Sequence, residues 1–267
     1  MFAYTFRRLL ITIPTLLVVI AVVYILLFSA PGGPFDSERV VPEAIQAQLM
    51  SKYHLDQPYW RQYLLYVGQL LQGDLGVSYR YADWSVNELV GSALPVSLAI
   101  GGIAIALSLL LGVLLGALAA LYRNSLVDYL VMALGSLGSV VPSFVLGPLL
   151  VLAFAISLQW LPSGGWDHFS WPFMVLPVAL LTLINVSTLA RIMRASMVEV
   201  MNSHYIRTAR AKGLPMRLIV FRHALRPSLL PVVTIVGPLA VSSITAALVT
   251  ESIFSIPGLG ILVVNGA

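Results

Sequence analysis

The run Asn202–Pro227, NSHYIRTARAKGLPMRLIVFRHALRP, decides how the rest of the chain is read. It carries Arg207, Arg210, Lys212, Arg217, Arg222 and Arg226, with Arg194 just upstream, and no acid falls between Glu199 and Glu251. Apolar segments long enough to cross a bilayer flank it on both sides. A cationic loop between two spans belongs on the cytoplasmic face, because Lys and Arg near span ends set orientation. Ser203 is placed to cap a short helix, and Gly213 to end it in a left-handed conformation. Pro215 suits the first turn of a second helix, and Pro227 forbids its continuation. The expectation is helix, tight turn, helix, lying across the membrane surface.

Composition points the same way. The 267 residues are 59% hydrophobic and 10% charged, against about 45–50% and about 25% in soluble domains. This is the balance of a polytopic membrane protein, and apolar runs of about 20 residues make its expected fold all-α. The net charge is +4, but its placement matters more than its sign. Of the 15 Lys and Arg, 11 fall in segments expected to be cytoplasmic and four in one large external loop. Basic residues that abut spans, with no soluble basic domain to carry them, argue against nucleic-acid binding. There is no Cys, which excludes disulfides and thiolate metal sites. His54, His168, His204 and His223 are scattered at no metal-ligand spacing. No Gly-rich loop ends in Gly-Lys-Ser or Gly-Lys-Thr, so the chain holds no ATP in that manner, and ATP-driven work falls to a partner.

Five spans are expected. Arg7 and Arg8 precede the first, Leu9–Phe28, which is long for the apolar part of a cleaved signal peptide and reads as a retained span. Pro31–Pro34 ends it, and residues 31–93 form an external insert holding seven of the 11 acids. Within the insert, Pro42–Tyr53 and Gln57–Leu71 read as amphipathic helices. The aromatics Tyr53, Tyr59, Trp60, Tyr63 and Tyr66 read as a small core at the membrane interface, with a ligand cage as the rival. The second span is 94–121, where Ser108, Gly112 and Gly116 recur every four residues and let a neighbouring helix come close. The third, 129–158, is kinked by Pro142 and Gly147-Pro148. Its hydroxyls Ser136, Ser139 and Ser143 either line a polar path or satisfy freed carbonyls. The fourth, 172–200, carries Asn185 and closes on Arg191 and Arg194; the fifth, 228–250, carries Thr234, Ser242 and Thr245. Glu251 at the end of an apolar helix needs a partner or water, and functional and capping roles stay equally open for it.

Two stretches carry a family resemblance. Arg207-Thr208-Ala209, Gly213 and Leu225-Arg226-Pro227 fit the layout of the EAA loop of binding-protein-dependent ABC importers. Here Arg207 stands in place of the first Glu, and the final Pro sits one position late. Glu251–Gly260, ESIFSIPGLG, resembles a Glu-x-Ile/Val-Phe-x-x-Pro-Gly-Leu-Gly stretch of the peptide-importing branch. The resemblance runs from Arg7 onward, and Lys52–Leu55 and Gly73–Gly76 match an external insert that in that family faces a binding protein.

The resemblance implies a type I ABC importer transmembrane domain at 94–267, with a coupling loop at 202–227. The loop would dock on an ATPase through Arg207, Thr208, Ala209, Arg210, Lys212, Gly213, Leu214 and His223, the alternative being lipid anchoring by the arginines. Candidate path residues are Ser139, Ser143, Asn185, Thr234, Ser242, Thr245 and Glu251. Implied partners are a second homologous permease subunit, two ATPase subunits that bind ATP and Mg, an extracytoplasmic peptide-binding protein, the lipid bilayer and a peptide substrate. No cofactor, metal or nucleic acid is expected on this chain, and the location is the bacterial inner membrane. Oligopeptides are the cargo the resemblance implies, with dipeptides, murein peptides or nickel as alternatives; a membrane enzyme, a passive channel or a scaffold are remoter. The family has six spans, so a further helix is expected beyond Ala267.

Overall fold

The computed structural model describes residues 2–29, 57–78, 80–81 and 84–266. The expected helix Pro42–Tyr53, the Pro31–Pro34 break and Lys52–Leu55 lie outside the described residues. Helices α1 (Phe2–Ser29), α2 (Tyr59–Leu71), α3 (Val86–Leu121) and α4 (Leu126–Val140) come first. Next are α5 (Ser143–Leu150), which continues into a π-helical stretch Val151–Ser157, and α6 (Trp171–Met201). After these come α7 (His204–Ala211), α8 (Met216–Leu218), a second π-helical stretch Ile219–Ala224, α9 (Leu225–Ile253) and α10 (Leu259–Gly266). The architecture is all-α. Four helices are long and apolar enough to cross a membrane, five spans if the bent pair α4–α5 counts as one.

The chain divides into Met1–Leu89 and Val90–Ala267. In the first unit α2 closes on the second half of α1. The Tyr24 hydroxyl donates to Gln62 Oε1 at 2.6 Å, and the Tyr63 hydroxyl to the Leu17 carbonyl at 3.0 Å. The Tyr24 ring lies 6.3 Å from Tyr63 and 6.4 Å from Tyr66. The aromatics of α2 therefore use α1 as a partner instead of forming a core of their own, and Tyr59 and Trp60 stay exposed. Beyond α2, the Asn87 side chain brackets the Gly73–Gly76 turn, accepting from Leu75 N at 2.7 Å and donating to the Gly73 carbonyl at 2.7 Å. Ser85 and Glu88 cap α3 reciprocally, with Ser85 N donating to Glu88 Oε2 at 2.9 Å and Glu88 N to Ser85 Oγ at 3.2 Å.

The second unit is built around α6, most of whose apolar window is buried, whereas none of α1's is. Lipid offers no hydrophobic drive between helices, so close approach has to come from small residues. Ser108, Gly112 and Gly116 lie buried on α3, as their spacing predicts. A Cβ on Gly112 would stand 2.6 Å from Leu189 Cβ, and one on Gly116 2.5 Å from the Ala190 carbonyl oxygen. On the second face of α6, a Cβ on Gly138 of α4 would collide with the Leu183 carbonyl. Nothing larger than glycine fits at these crossings.

Two expectations are corrected. The third span is not one kinked helix: α4 and α5 meet at 109°. Val141, held extended (φ −88°, ψ 123°) by the proline after it, ends α4, and Pro142 becomes the N-cap of α5. Gly147-Pro148 breaks nothing, and the ladder changes only afterwards, in the π-helical stretch. Nor does the helix entered at Met216 stop at Pro227. It runs through to Ile253, because the wide turn Ile219–Ala224 re-registers the backbone ladder just ahead of that proline.

Candidate functional site

The loop carries its cations on a small, well-closed turn. Ser203 stands at the N-cap of α7 with extended backbone (φ −68°, ψ 157°), but its hydroxyl donates back to the Val200 carbonyl at 2.6 Å, so the expected cap bond is not made. The other end is as expected. Gly213 has φ +76°; its N–H donates to the Arg210 carbonyl at 2.9 Å and the Leu214 N–H to the Ala209 carbonyl at 3.3 Å. These are the two bonds of a Schellman closure. A Cβ on Gly213 would meet nothing within 4 Å, so conformation alone, not crowding, selects glycine there.

Arg207, Thr208, Arg210, Lys212 and Gly213 are exposed, Leu214 and His223 half-buried. Ala209 differs from the expectation that it faces a partner. It is buried with Ile206, Ile219, Val220 and Ala224 in a cluster that includes Met193 and Met197 of α6, and Leu214 packs against the same cluster. The turn is thus footed on the chain's own core, and the outward surface is the Arg207–Arg210–Lys212 edge.

Behind this loop lies an ion pair that sequence reasoning missed. Asp128, buried at the start of α4, takes a two-pronged contact from Arg194 of α6: Nε to Oδ1 and Nη2 to Oδ2, both 2.6 Å. Asn124 N also donates to Oδ2 at 2.9 Å, and the Ser125 hydroxyl accepts from Asp128 N at 3.5 Å. The signal was available, since Asp128 is the sole acid between Glu88 and Asp167, and an acid inside an apolar helix calls for a partner. What was missing was the identity of that partner, which lies 66 positions away.

At the far end, Glu251 is fully buried and ties three elements together. Ser97 Oγ of α3 donates to Oε1 at 2.5 Å, and Gly260 N at the start of α10 donates to Oε2 at 2.5 Å. Leu259 N donates in turn to Ser97 Oγ at 2.9 Å. The carboxylate thereby holds the N-terminal N–H groups of α10, one directly and one through a hydroxyl. A Cβ on Gly258 would strike the Glu251 carboxyl, and one on Gly260 would lie 2.6 Å from Leu248 Cα. The Pro-Gly-Leu-Gly run is the shape that lets α10 dock. Of the two roles left open for Glu251, the geometry displays capping. Ser97, its second partner, was not singled out from the sequence.

The remaining path candidates do not converge on one spot. Asn185 is buried and donates to Ser243 Oγ at 2.9 Å, joining α6 to α9. Thr234 and Ser242 are exposed on α9, their hydroxyls returned to the Pro231 and Leu239 carbonyls at 2.7 and 3.0 Å. Ser143 is half-buried at the start of α5. The side chain of Thr245 lies outside the described residues. Ser139 is exposed, donates to the Ser136 carbonyl at 3.1 Å, and accepts from Arg191 Nη2 at 3.0 Å.

Comparison with known proteins adds to this geometry. A family model described as binding-protein-dependent transport system inner membrane component matches residues 112–267. The oligopeptide transport system permease protein OppB of Haemophilus influenzae is 51% identical over 100% of this chain and 87% of its own length. OppB of Escherichia coli (strain K12) is 49% identical over the same shares. The dipeptide transport system permease protein DppB of Bacillus subtilis (strain 168) is 41% identical over 96% of this chain and 83% of its own.

Proposed function

We infer from the chain's place in the binding-protein-dependent transport system inner membrane component family, to which it belongs, that it is a permease subunit of an oligopeptide ABC importer. It is a multi-pass protein of the bacterial inner membrane. The observation that carries the substrate class is identity at about half of all positions, along the whole chain, to proteins named for oligopeptide transport. Dipeptide permease proteins, at 41% and 37%, are the neighbouring reading.

The chain forms one wall of a path and hydrolyses nothing itself. ATP and Mg belong to two partner ATPase subunits, the second wall to a homologous permease subunit, and selection of cargo to an extracytoplasmic peptide-binding protein. The N-terminus and the 202–227 loop face the cytoplasm, and residues 31–93 face outward. The exposed Arg207–Arg210–Lys212 edge, braced by the Gly213 turn and footed on α6, supports docking on an ATPase as a rigid knob.

Reconstitution of the co-purified complex in proteoliposomes tests this. Peptide-loaded binding protein is expected to stimulate ATP hydrolysis and drive oligopeptide uptake; basal hydrolysis unchanged by binding protein and no uptake would refute it. Single cysteines at Ser203 and Ser51, in a chain that has none, are expected to label from opposite sides.

A further inference from the structure

Arg191 is a cation of α6 that neither the loop nor the ion pair accounts for. It sits on the exposed face of α6, one turn from Arg194. Its Nη2 donates to Ser139 Oγ at 3.0 Å and to Ser187 Oγ at 3.1 Å. Among the described residues no carboxylate lies within 4.0 Å of it, and its Nε and Nη1 make no hydrogen bond. The direction of the side chain is informative. Ser187 is one turn further from the loop, and Ser139 lies eleven residues along α4 from Asp128, or about 16 Å at ~1.5 Å per residue. An arginine facing lipid bends back toward the nearest headgroups. The bond to Ser187, four residues back, follows the ordinary lean of helix side chains toward the N-terminus; the bond to Ser139 on α4 does not, and it holds the guanidinium across the seam of α4 and α6 with half of its fork open. A guanidinium with open donors at the end of an apolar span belongs beside water or an anion.

Resting on the importer reading above, we propose that Arg191, positioned by Ser139 and Ser187, lines the translocation path and binds the C-terminal carboxylate of the passing peptide. That carboxylate is the anion common to peptides of any sequence, and a guanidinium fork matches it in shape. A path that tolerates varied side chains can still hold this invariant end.

The test uses the complete complex in proteoliposomes of neutral lipid and of lipid containing phosphatidylglycerol. The probes are a tripeptide with uncharged side chains and its C-terminal amide, both saturating the binding protein. For wild type, the free acid is expected to be taken up faster than the amide. Arg191→Gln is expected to lower uptake of the free acid about tenfold and leave the amide nearly unchanged in both lipids, while Arg191→Lys keeps most of the preference. Because the readout is a ratio within one variant, losses of assembly cancel, and the Lys variant decides the matter if the Gln variant is inactive. The proposal is overturned if acid and amide fall together, if neither changes, or if the effect appears only with anionic lipid, which would mark a phosphate anchor. If wild type imports neither probe, the importer reading fails first; if wild type imports both and the ratio ignores Arg191, this inference alone fails.

Discussion

Asp128 and Glu251 are both buried acids of the larger unit, and they are held in opposite ways. Asp128 faces a guanidinium. Glu251, among the described residues, faces no cation: a serine hydroxyl and a backbone N–H are its partners. The first joins α4 to α6 beside the cationic loop; the second joins α3, α9 and α10 at the other end. The contrast separates two uses of one functional group. Where Arg194 is at hand, a charge pair adds a clamp between α4 and α6 to the Gly138 crossing. Where a helix begins, the unsatisfied N–H groups need an acceptor, and the full charge is secondary to the shape of the lone pairs.

The largest break should come at the charged end. Arg194→Ala leaves Asp128 buried without its counter-ion, and a loss of about 3–5 kcal/mol is expected, read as a lowered midpoint in thermal unfolding of the detergent-solubilised protein. Adding Asp128→Asn should recover most of it, because the stranded charge is gone. No recovery would mean that packing, not charge, is what Arg194 supplies. At the other end Glu251→Ala should cost about 1–3 kcal/mol by stranding N–H groups of α10, while Glu251→Gln, which keeps a carbonyl acceptor, should cost less than half as much. Equal losses for the two variants would show that Glu251 works as a charge after all.

Two smaller effects extend the comparison to the loop. Gly213→Val forces a β-branched residue into φ +76°, a strain of about 1–2 kcal/mol, and with the turn distorted, co-purification of the ATPase is expected to fail. Arg207→Gln with Arg210→Gln should change stability by no more than about 0.5 kcal/mol, since both side chains are exposed. If the double variant releases the ATPase and Gly213→Val retains it, the loop is held by charge and not by form.

What the sequence made legible was local. The Ser108–Gly112–Gly116 spacing marked a close helix crossing, and the Gly213 turn followed from the residues that bracket it. What it hid was relational. The same residue type, proline, turns the chain by 109° at Pro142 and scarcely matters at Pro227. The difference lies in the ladder ahead of each: α4 runs regularly up to Val141, whereas a π-helical stretch has already shifted the register before Pro227. Arg194 was counted with the loop cations although its partner is Asp128, because pairing across 66 positions is a property of the packed helices. Ala209 was placed on the docking edge with its neighbours, whereas its burial depends on how α7 packs against α6.

The unbroken path from Met216 to Ile253 has a mechanical meaning. At ~1.5 Å per residue it measures about 57 Å along its contour, with the Gly213 turn at its foot and the Glu251 clamp at its tip. Were it to move as one body, a tilt of about 5° at the foot would carry the tip sideways by about 5 Å, roughly one helical turn. In such a motion Glu251 would travel with α9 while Ser97 stays on α3, so the contact between them is where a push on the loop would be felt.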